Sequence, residues 1–473
     1  MPRPYLLTMA LLLSIAVSVH AKEPIMTPPE TPVLGELDPY LIQNIYHSKN
    51  AEASLADVQE DPEFLALVKK HHLKLWGGPM LGCVTHDAAK VWLRTTRPAK
   101  VRVELFDTDE KPVASDDQST SAARDYTAVL QLAGLKPWTE YRYNVLVDGE
   151  AVLSEPARFR TNPRSGQAVA FSVGFGGGAR YVPDKERMWD TIASFRPHAF
   201  LFLGDNIYID QPLWRGKQRA LYYRRQLRPE FQRLTSQAAA YAIWDDHDFG
   251  ANDVSGGLDP QKPDWKIPAW NVFRENWVNP YYGGGGEQPG CWFDFSIGDG
   301  DFFMTDGRYY RSFKDGTMLG PVQKKWLLKK LSASKATFKV IASGTLWTEH
   351  ADKGGADSWW GVKAEREEIF GLIDREKIPG VILISADRHR TDVYKIERPR
   401  GYDLYEFETS KLTNNHTHGT KPQALFSYNK GNFFGMLNFD LSKADPEMTF
   451  ECITIENEKV YSLTLQRSQL EAP

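Results

Sequence analysis

Five short apolar runs, at 168–173, 199–203, 241–244, 338–342 and 381–385, are each bounded by polar or turn residues and separated by stretches of helical periodicity. Runs this short that stay apolar throughout fit strands buried on both faces, and the helices between them fit the crossovers that cover such a sheet. The alternation predicts an α/β fold with helices at 184–195, 321–331 and Lys363–Arg375. Pro321 opens the second helix, and the third ends before the Pro379-Gly380 turn. A hairpin is expected from 292–297 and 301–305 around Gly298-Asp299-Gly300, and alternating segments over 433–466 read as completing a second sheet.

Upstream the pattern differs. At 473 residues the chain exceeds what one core usually organises. Residues 22–76 read as a helical lead-in, in which Asp61-Pro62 opens a helix with Phe64, Leu65, Leu67 and Val68 on one face. Between 77 and 162 short alternating segments such as Val101-Arg-Val-Glu-Leu-Phe are separated by turns with no helix among them, which predicts an all-β sandwich of the fibronectin III kind. The Asn162-Pro163-Arg164-Ser165-Gly166 linker then leads into a unit spanning 163–473.

The first residues read as a secretory leader, 1–21: Arg3, an apolar run over 6–19, and Val19-His20-Ala21 as the cleavage site. The run is shorter than the roughly 20 apolar residues a spanning helix needs. The expected product is therefore secreted or periplasmic, with no membrane span after cleavage. Loss of Arg3 takes the formal charge from -4 to -5, so no general attraction draws the protein to nucleic acid or anionic lipid. Specific nucleic-acid binding is not expected beyond its possible use as substrate. Cys83, Cys291 and Cys452 are too few and too scattered for a disulfide framework or thiolate metal site; three small buried residues is the preferred reading, one disulfide the alternative.

Three of the apolar runs end in carboxylates: Gly204-Asp205-Asn-Ile-Tyr208, Trp244-Asp-Asp246-His247-Asp248 and Ser385-Ala-Asp387-Arg-His389. Ligands of α/β sheets bind outside the carboxyl ends of strands, so the three clusters can meet in one crevice. Taken singly, each is an ordinary turn or cap. Together, carboxylate and imidazole donors suit one or two of Fe, Ca, Zn, Mn or Mg, divalent or trivalent, which activate water and stabilise a phosphoryl group while a neighbouring His protonates the leaving alkoxide.

The order GD-x-x-Y, WDDHD, SAD-x-H resembles the alkaline phosphatase D (PhoD-like) branch of the calcineurin-type metallophosphoesterases, over a stretch from about Gly77 to the tail. The resemblance implies an α+β four-layer metallophosphoesterase sandwich behind the β-sandwich, and hydrolysis of a phosphoester in a small molecule or polymer. It further implies Asp205 as the bridging carboxylate, Tyr208 as a phenolate ligand, Asp246 as a ligand and His247 as acid and phosphate contact. Asp387 and His389 match a pair serving two ions, and Asn252 is a further candidate ligand. One departure stands out: where the family's first catalytic strand often ends in a liganding Cys, this chain runs Gly174-Phe-Gly176-Gly177-Gly178-Ala-Arg180. A single metal, a substitute ligand such as Asp306, or lost hydrolysis would each answer that gap.

The glycine run imitates a dinucleotide fingerprint, but the next helix starts too late to close its turn and no ribose acid follows. A glycine loop offering amides to phosphate is the expected role. Arg388 is assigned to catalysis, and Arg180, Arg308 and Arg390 to substrate binding, as phosphate-directed cations. The basic stretch 215–228 reads as a solvated helix face. His416 and His418, at i and i+2 in a polar loop, read as structural, with a reserve role as ligands. The competing function is a non-catalytic binding or scaffold protein on an incomplete metal site; a sulfatase or other esterase is a third.

Overall fold

The computed structural model describes residues 35–351 and 357–472. The leader 1–21 and the start of the lead-in lie outside the described residues. Among those described, no helix is long and apolar enough to cross a membrane.

The apolar runs form strands for the expected reason. Ala199–Leu203, Ala239–Ile243, Phe338–Ala342 and Val381–Ser385 are buried at every position, so both faces of each strand meet core and no polar alternation is tolerated. They do not share a sheet. One six-stranded sheet has the order Ala239–Ile243, Ala199–Leu203, Ala170–Gly176, Phe433–Asp440, Glu447–Thr454, Lys459–Gln466, the first three parallel and the rest antiparallel. A seven-stranded sheet begins at the hairpin Phe293–Ile297 and Gly300–Met304 and continues in parallel through Phe338–Ala342, Val381–Ser385 and Leu404–Thr409. The tail thus extends the first sheet, because Phe433–Asp440 pairs along the free edge of Ala170–Gly176.

That first strand also runs past 173, through glycines that read as loop. A Cβ on Gly174 would stand 2.7 Å from the Phe200 ring, and one on Gly176 2.9 Å from Leu412 Cδ2. Neighbouring side chains fill the space, so the glycines keep the strand in close contact. The two sheets pack through aromatic rings: Phe439, stacked at 4.8 Å on its cross-strand neighbour Phe171, lies 5.5 Å from Phe338 and 6.1 Å from Phe302 of the other sheet, and Phe450 lies 4.6 Å from Phe407. Helices cover the outer faces. Trp189 of Met188–Ser194 meets Phe202, and Trp326 of Gly320–Ala333 meets Phe303. The expected helix at 184–195 is a 3-10 turn, Pro183–Lys185, followed by the shorter Met188–Ser194.

Residues 75–160 build two antiparallel sheets, one of Leu75–Gly82, Ala88–Thr95 and Thr127–Ala133, the other centred on Lys100–Phe106 and Glu140–Val147. Val101, Val103, Leu105, Tyr141, Tyr143 and Val145 alternate inward. In the lead-in helix Pro62–Lys70, Asp61 accepts a hydrogen bond from Glu63 N at 2.8 Å as cap. Phe64 and Leu67 are buried, whereas Leu65 turns outward at 42% exposure, one residue off the packed stripe.

The basic stretch is not a solvated face. Helix Arg215–Gln226 lies under the lead-in, with Ala220 and Tyr223 in its core. Arg224 pairs with buried Asp38 at 3.6 Å, and Arg225 with buried Glu186 at 3.0 Å. Cationic ends buried this way need partners, and anions on other elements supply them. The three cysteines are free, Cys291 and Cys452 buried and Cys83 partly so.

Phe439→Ala removes the ring on which three others from both sheets converge. Urea unfolding should show a loss of about 3–5 kcal/mol; a loss under about 1 kcal/mol would mean the sheets do not depend on this contact.

Candidate metal centre

The turn after Ala199–Leu203 folds tightly against the one after Ala239–Ile243. A Cβ on Gly204 would lie 2.5 Å from Asp245 Cβ, and Gly204 itself has φ +105°. Asp205 follows with φ +52°, and Asp387 and His389 have φ +87° and +47°. Three candidate site residues thus hold backbone that non-glycine residues adopt uncommonly, a cost of order 1–3 kcal/mol each that the surroundings must enforce.

Asp248 does much of the enforcing. Its Oδ1 accepts hydrogen bonds from Asn206 N at 2.9 Å and Ile207 N at 3.1 Å, and its Oδ2 accepts from Asp245 N at 3.0 Å. One carboxylate therefore ties the Asp205 turn to the turn carrying Asp246 and His247. Behind them Arg308, fully buried, pairs with Asp245 and with Asp357 Oδ1 at 2.8 Å. Arg311 pairs with Asp357 as well.

In front of this scaffold Asp205, Asp246 and His247 bring donor atoms within 4.8 Å of one another. Tyr208 Oη donates to Asp205 Oδ2 at 2.9 Å and stands 3.2 Å from His389 Nε2, which is 3.8 Å from Asp205 Oδ2. Asn414 Nδ2 donates to Tyr208 Oη at 2.6 Å. His247 Nδ1 lies 2.5 Å from Asp210 Oδ1, and its ring centroid is 4.3 Å from that of Tyr208. Asp246 Oδ2 accepts from Asp253 N at 2.6 Å. Asp387 is buried, with Arg388 Nη1 3.6 Å from its Oδ2.

Electrostatics follow the geometry. Burial, reinforced by Asp246, pushes the Asp205 carboxyl up to about 7. Burial opposes charge on Asp246 too, but Arg308 and His247 outweigh it and bring that carboxyl down to about 2. For His247 burial is outweighed by Asp205, Asp246 and Asp210, which push it up to about 10. Burial, with His416, His247 and Arg388, pushes His389 down to about 3.

The donor set fits a metal ion. Asp205 Oδ1 and Asp246 Oδ1 are buried without a hydrogen bond, the latter with Arg308 Nη2 at 3.7 Å, and hard oxygen atoms so placed in a low-dielectric interior suit a metal cation.

The structure thus brings together Asp205, Tyr208, Asp246, His247 and His389. Other expectations are corrected. Arg308 is locked among Asp245, Asp246 and Asp357 and faces no substrate. Arg390 is fully buried, its Nε donating to Asp392 Oδ2 at 2.5 Å. Asn252 is exposed, and the neighbouring Asp253 approaches Asp246 instead. Asp306 is occupied in accepting the amides of Cys291, Arg308 and Tyr309, all at 2.9 Å. The glycine loop presents no free amides: those of Gly177, Gly178 and Ala179 donate to the carbonyls of Thr409, Gly204 and Asp205. Arg180 is exposed beside that loop. Asp210 and Asn414 escaped the sequence reading, although Asp210 follows Tyr208 by two residues; Asn414 carried no local signal.

A family model described as PhoD-like phosphatase matches residues 173–450. A second, a domain of unknown function (DUF7800), matches residues 72–165. No curated protein matches the sequence. Among solved structures the chain is similar to PhoD, with a TM-score of 0.71 and 16% identity over 83% of this chain and 90% of that one. It is also similar to the purple acid phosphatase PPD1 from seeds of yellow lupin (Lupinus luteus), with a TM-score of 0.60 and 13% identity over 83% and 75% of the two chains. At these identities the structural likeness is one of fold.

Arg308→Met leaves Asp245 and Asp357 without their shared buried cation. Chemical denaturation should register a loss of about 3–5 kcal/mol; an unchanged midpoint would remove Arg308 as the support of the Asp246 turn.

Proposed function

The chain belongs to the PhoD-like phosphatase family and is a metallophosphoesterase acting on phosphoester bonds, and from that premise we propose that Asp205, Tyr208, Asp246, Asp387 and His389 hold its metal and that His247 is its general acid. The observation that carries the assignment is the pair of buried oxygens without a hydrogen bond, Asp205 Oδ1 and Asp246 Oδ1, gathered beside His247. A metal bound there supplies electrophilic pull on phosphoryl oxygens and makes water acidic enough to attack at neutral pH.

The chain's own residues do the rest. Asp210 on Nδ1 orients His247 and favours its protonated form, which leaves Nε2–H for the leaving oxygen. The ring keeps 17% of its side-chain surface exposed, so an ester can reach it. Asp205 receives Tyr208 and stays oriented while substrate exchanges. Arg180, next to the Ala179 amide that bonds Asp205 O at 2.7 Å, is the exposed cation for the phosphate. Arg388 offsets the negative charge of Asp387. Monoesters and diesters are both substrates in this reading, in a small molecule or at a polymer end.

The finer architecture belongs to the same proposal. The two sheets and their outer helices are read as a four-layer sandwich, and the separate unit around 77–162 as fibronectin III-like. The matches to residues 72–165 and 173–450 by different families support a boundary between them. The leader 1–21 is read as an export signal, which makes the enzyme periplasmic or secreted.

Asp205→Asn should lower kcat on 4-nitrophenyl phosphate or bis(4-nitrophenyl) phosphate by about 10³-fold or more and reduce metal content measured by mass spectrometry. Full activity and full metal content in that variant would sink the assignment. His247→Asn should slow alkyl phosphates, with their poor leaving groups, by about 10²–10⁴-fold and nitrophenyl esters much less. Equal losses on both would argue against a proton-donating role.

A further inference from the structure

We propose that His389, His416 and His418 form a trihistidine site for a divalent ion of the Zn²⁺ class, in place of the ligand missing from the first catalytic strand. It deepens the metal-centre reading above and rests on it, since His389 borders both groups.

The three histidines offer donor atoms that lie within 4.8 Å of one another. Their ring centroids are separated by 5.2, 5.7 and 4.7 Å. His389 is 7% exposed, and its Nδ1 is buried with no hydrogen-bond partner while Nε2 faces Tyr208. A buried imidazole with one nitrogen unsatisfied, set against two further imidazoles, is the donor arrangement of a metal-ligating cluster. Three nitrogen donors with no thiolate suit Zn, Cu, Ni or Fe, and three protein ligands leave a coordination position open. His416 is exposed, so an ion has a route in.

The loop that carries the pair is built into place. Lys411 N and Leu412 N donate to Gly177 O at 2.9 and 3.0 Å, and Asn414 N donates to Gly178 O at 3.1 Å. Asn432 Nδ2 holds the carbonyls of Lys411 and Asn414, Asn429 Nδ2 holds that of His418, and Asn414 Oδ1 accepts His416 N at 2.9 Å. A Cβ on Gly178 would lie 2.9 Å from Lys411 N and 3.3 Å from His389 Cδ2. A liganding side chain at that glycine would therefore push the histidine loop away. The absent strand ligand and the docked histidines are two sides of one arrangement: bare backbone on one segment admits imidazoles from another.

The test uses the full chain, stripped of metal and reloaded with Zn²⁺, with zinc content by mass spectrometry, affinity by calorimetry, and anomalous diffraction at the zinc edge. The expected result is an anomalous peak among the three rings. It should disappear in the His416→Gln/His418→Gln variant, with loss of one zinc equivalent per chain, and persist in Asp205→Asn. The metal-free variant should melt as the parent does, because His416 is exposed and His418 partly so; if the double variant does not fold, His416→Gln alone should still weaken zinc binding at least tenfold. Absence of the peak, or zinc stoichiometry and affinity unchanged by these substitutions, overturns the proposal. A peak only at Asp205 and Asp246 overturns it while leaving the phosphoesterase site intact. A peak only among the histidines overturns the carboxylate assignment and, with it, the reading that this site completes the catalytic centre.

Discussion

Asp205 and Asp246 stand at the ends of neighbouring strands, each 2% exposed, close enough to share a ligand. Mutual repulsion and desolvation both oppose this arrangement, and at short range in a low-dielectric interior neither is small. The surrounding structure answers with cations on two sides, Arg308 behind and His247 beside, while the neutral ring of His389 closes the far side of Asp205. The left-handed turns at Asp205, Asp387 and His389, the glycine at 204 and the double clamp of Asp248 all keep the groups from drifting apart. Asp205 Oδ1 and Asp246 Oδ1 still lack a hydrogen bond, and that is the part the protein leaves to a metal.

The layers were legible because full burial leaves a plain mark: a strand packed on both faces is apolar without interruption, as at 199–203 and 381–385. Sheet membership leaves no such mark. Phe433–Asp440 alternates like any half-buried strand, and its partner, Ala170–Gly176, is about 260 residues upstream, so only the tertiary fit of Gly435 against Phe175 records the pairing. Arg224 and Arg225 misled for a related reason: a cation is read as solvent-facing unless its partner is known, and Asp38 and Glu186 lie on remote segments.

For the site, three strand ends carrying Asp and His were enough to anticipate that Asp205, Asp246, His247 and His389 meet, since strand ends in α/β sheets converge by topology. The arginines failed because charge alone does not tell a phosphate clamp from an internal counter-ion; Arg308 and Arg390 are counter-ions. His416 and His418 looked like loop polarity because their spacing matters only once the loop is docked on Gly177 and Gly178. The glycines themselves read as a flexible phosphate cradle, whereas their amides are all spoken for.

The position of Phe433–Asp440 has a consequence for how the molecule is made. It lies in the middle of its sheet, directly beside the first strand of the catalytic unit, yet it is synthesised among the last. Until then Ala170–Gly176 has an open edge and the Phe439 ring that joins the two sheets is missing. A nascent chain holding every candidate ligand, through His418, still lacks its centre. Closure waits on long-range pairing, which is slow and leaves an unpaired edge open to other chains meanwhile.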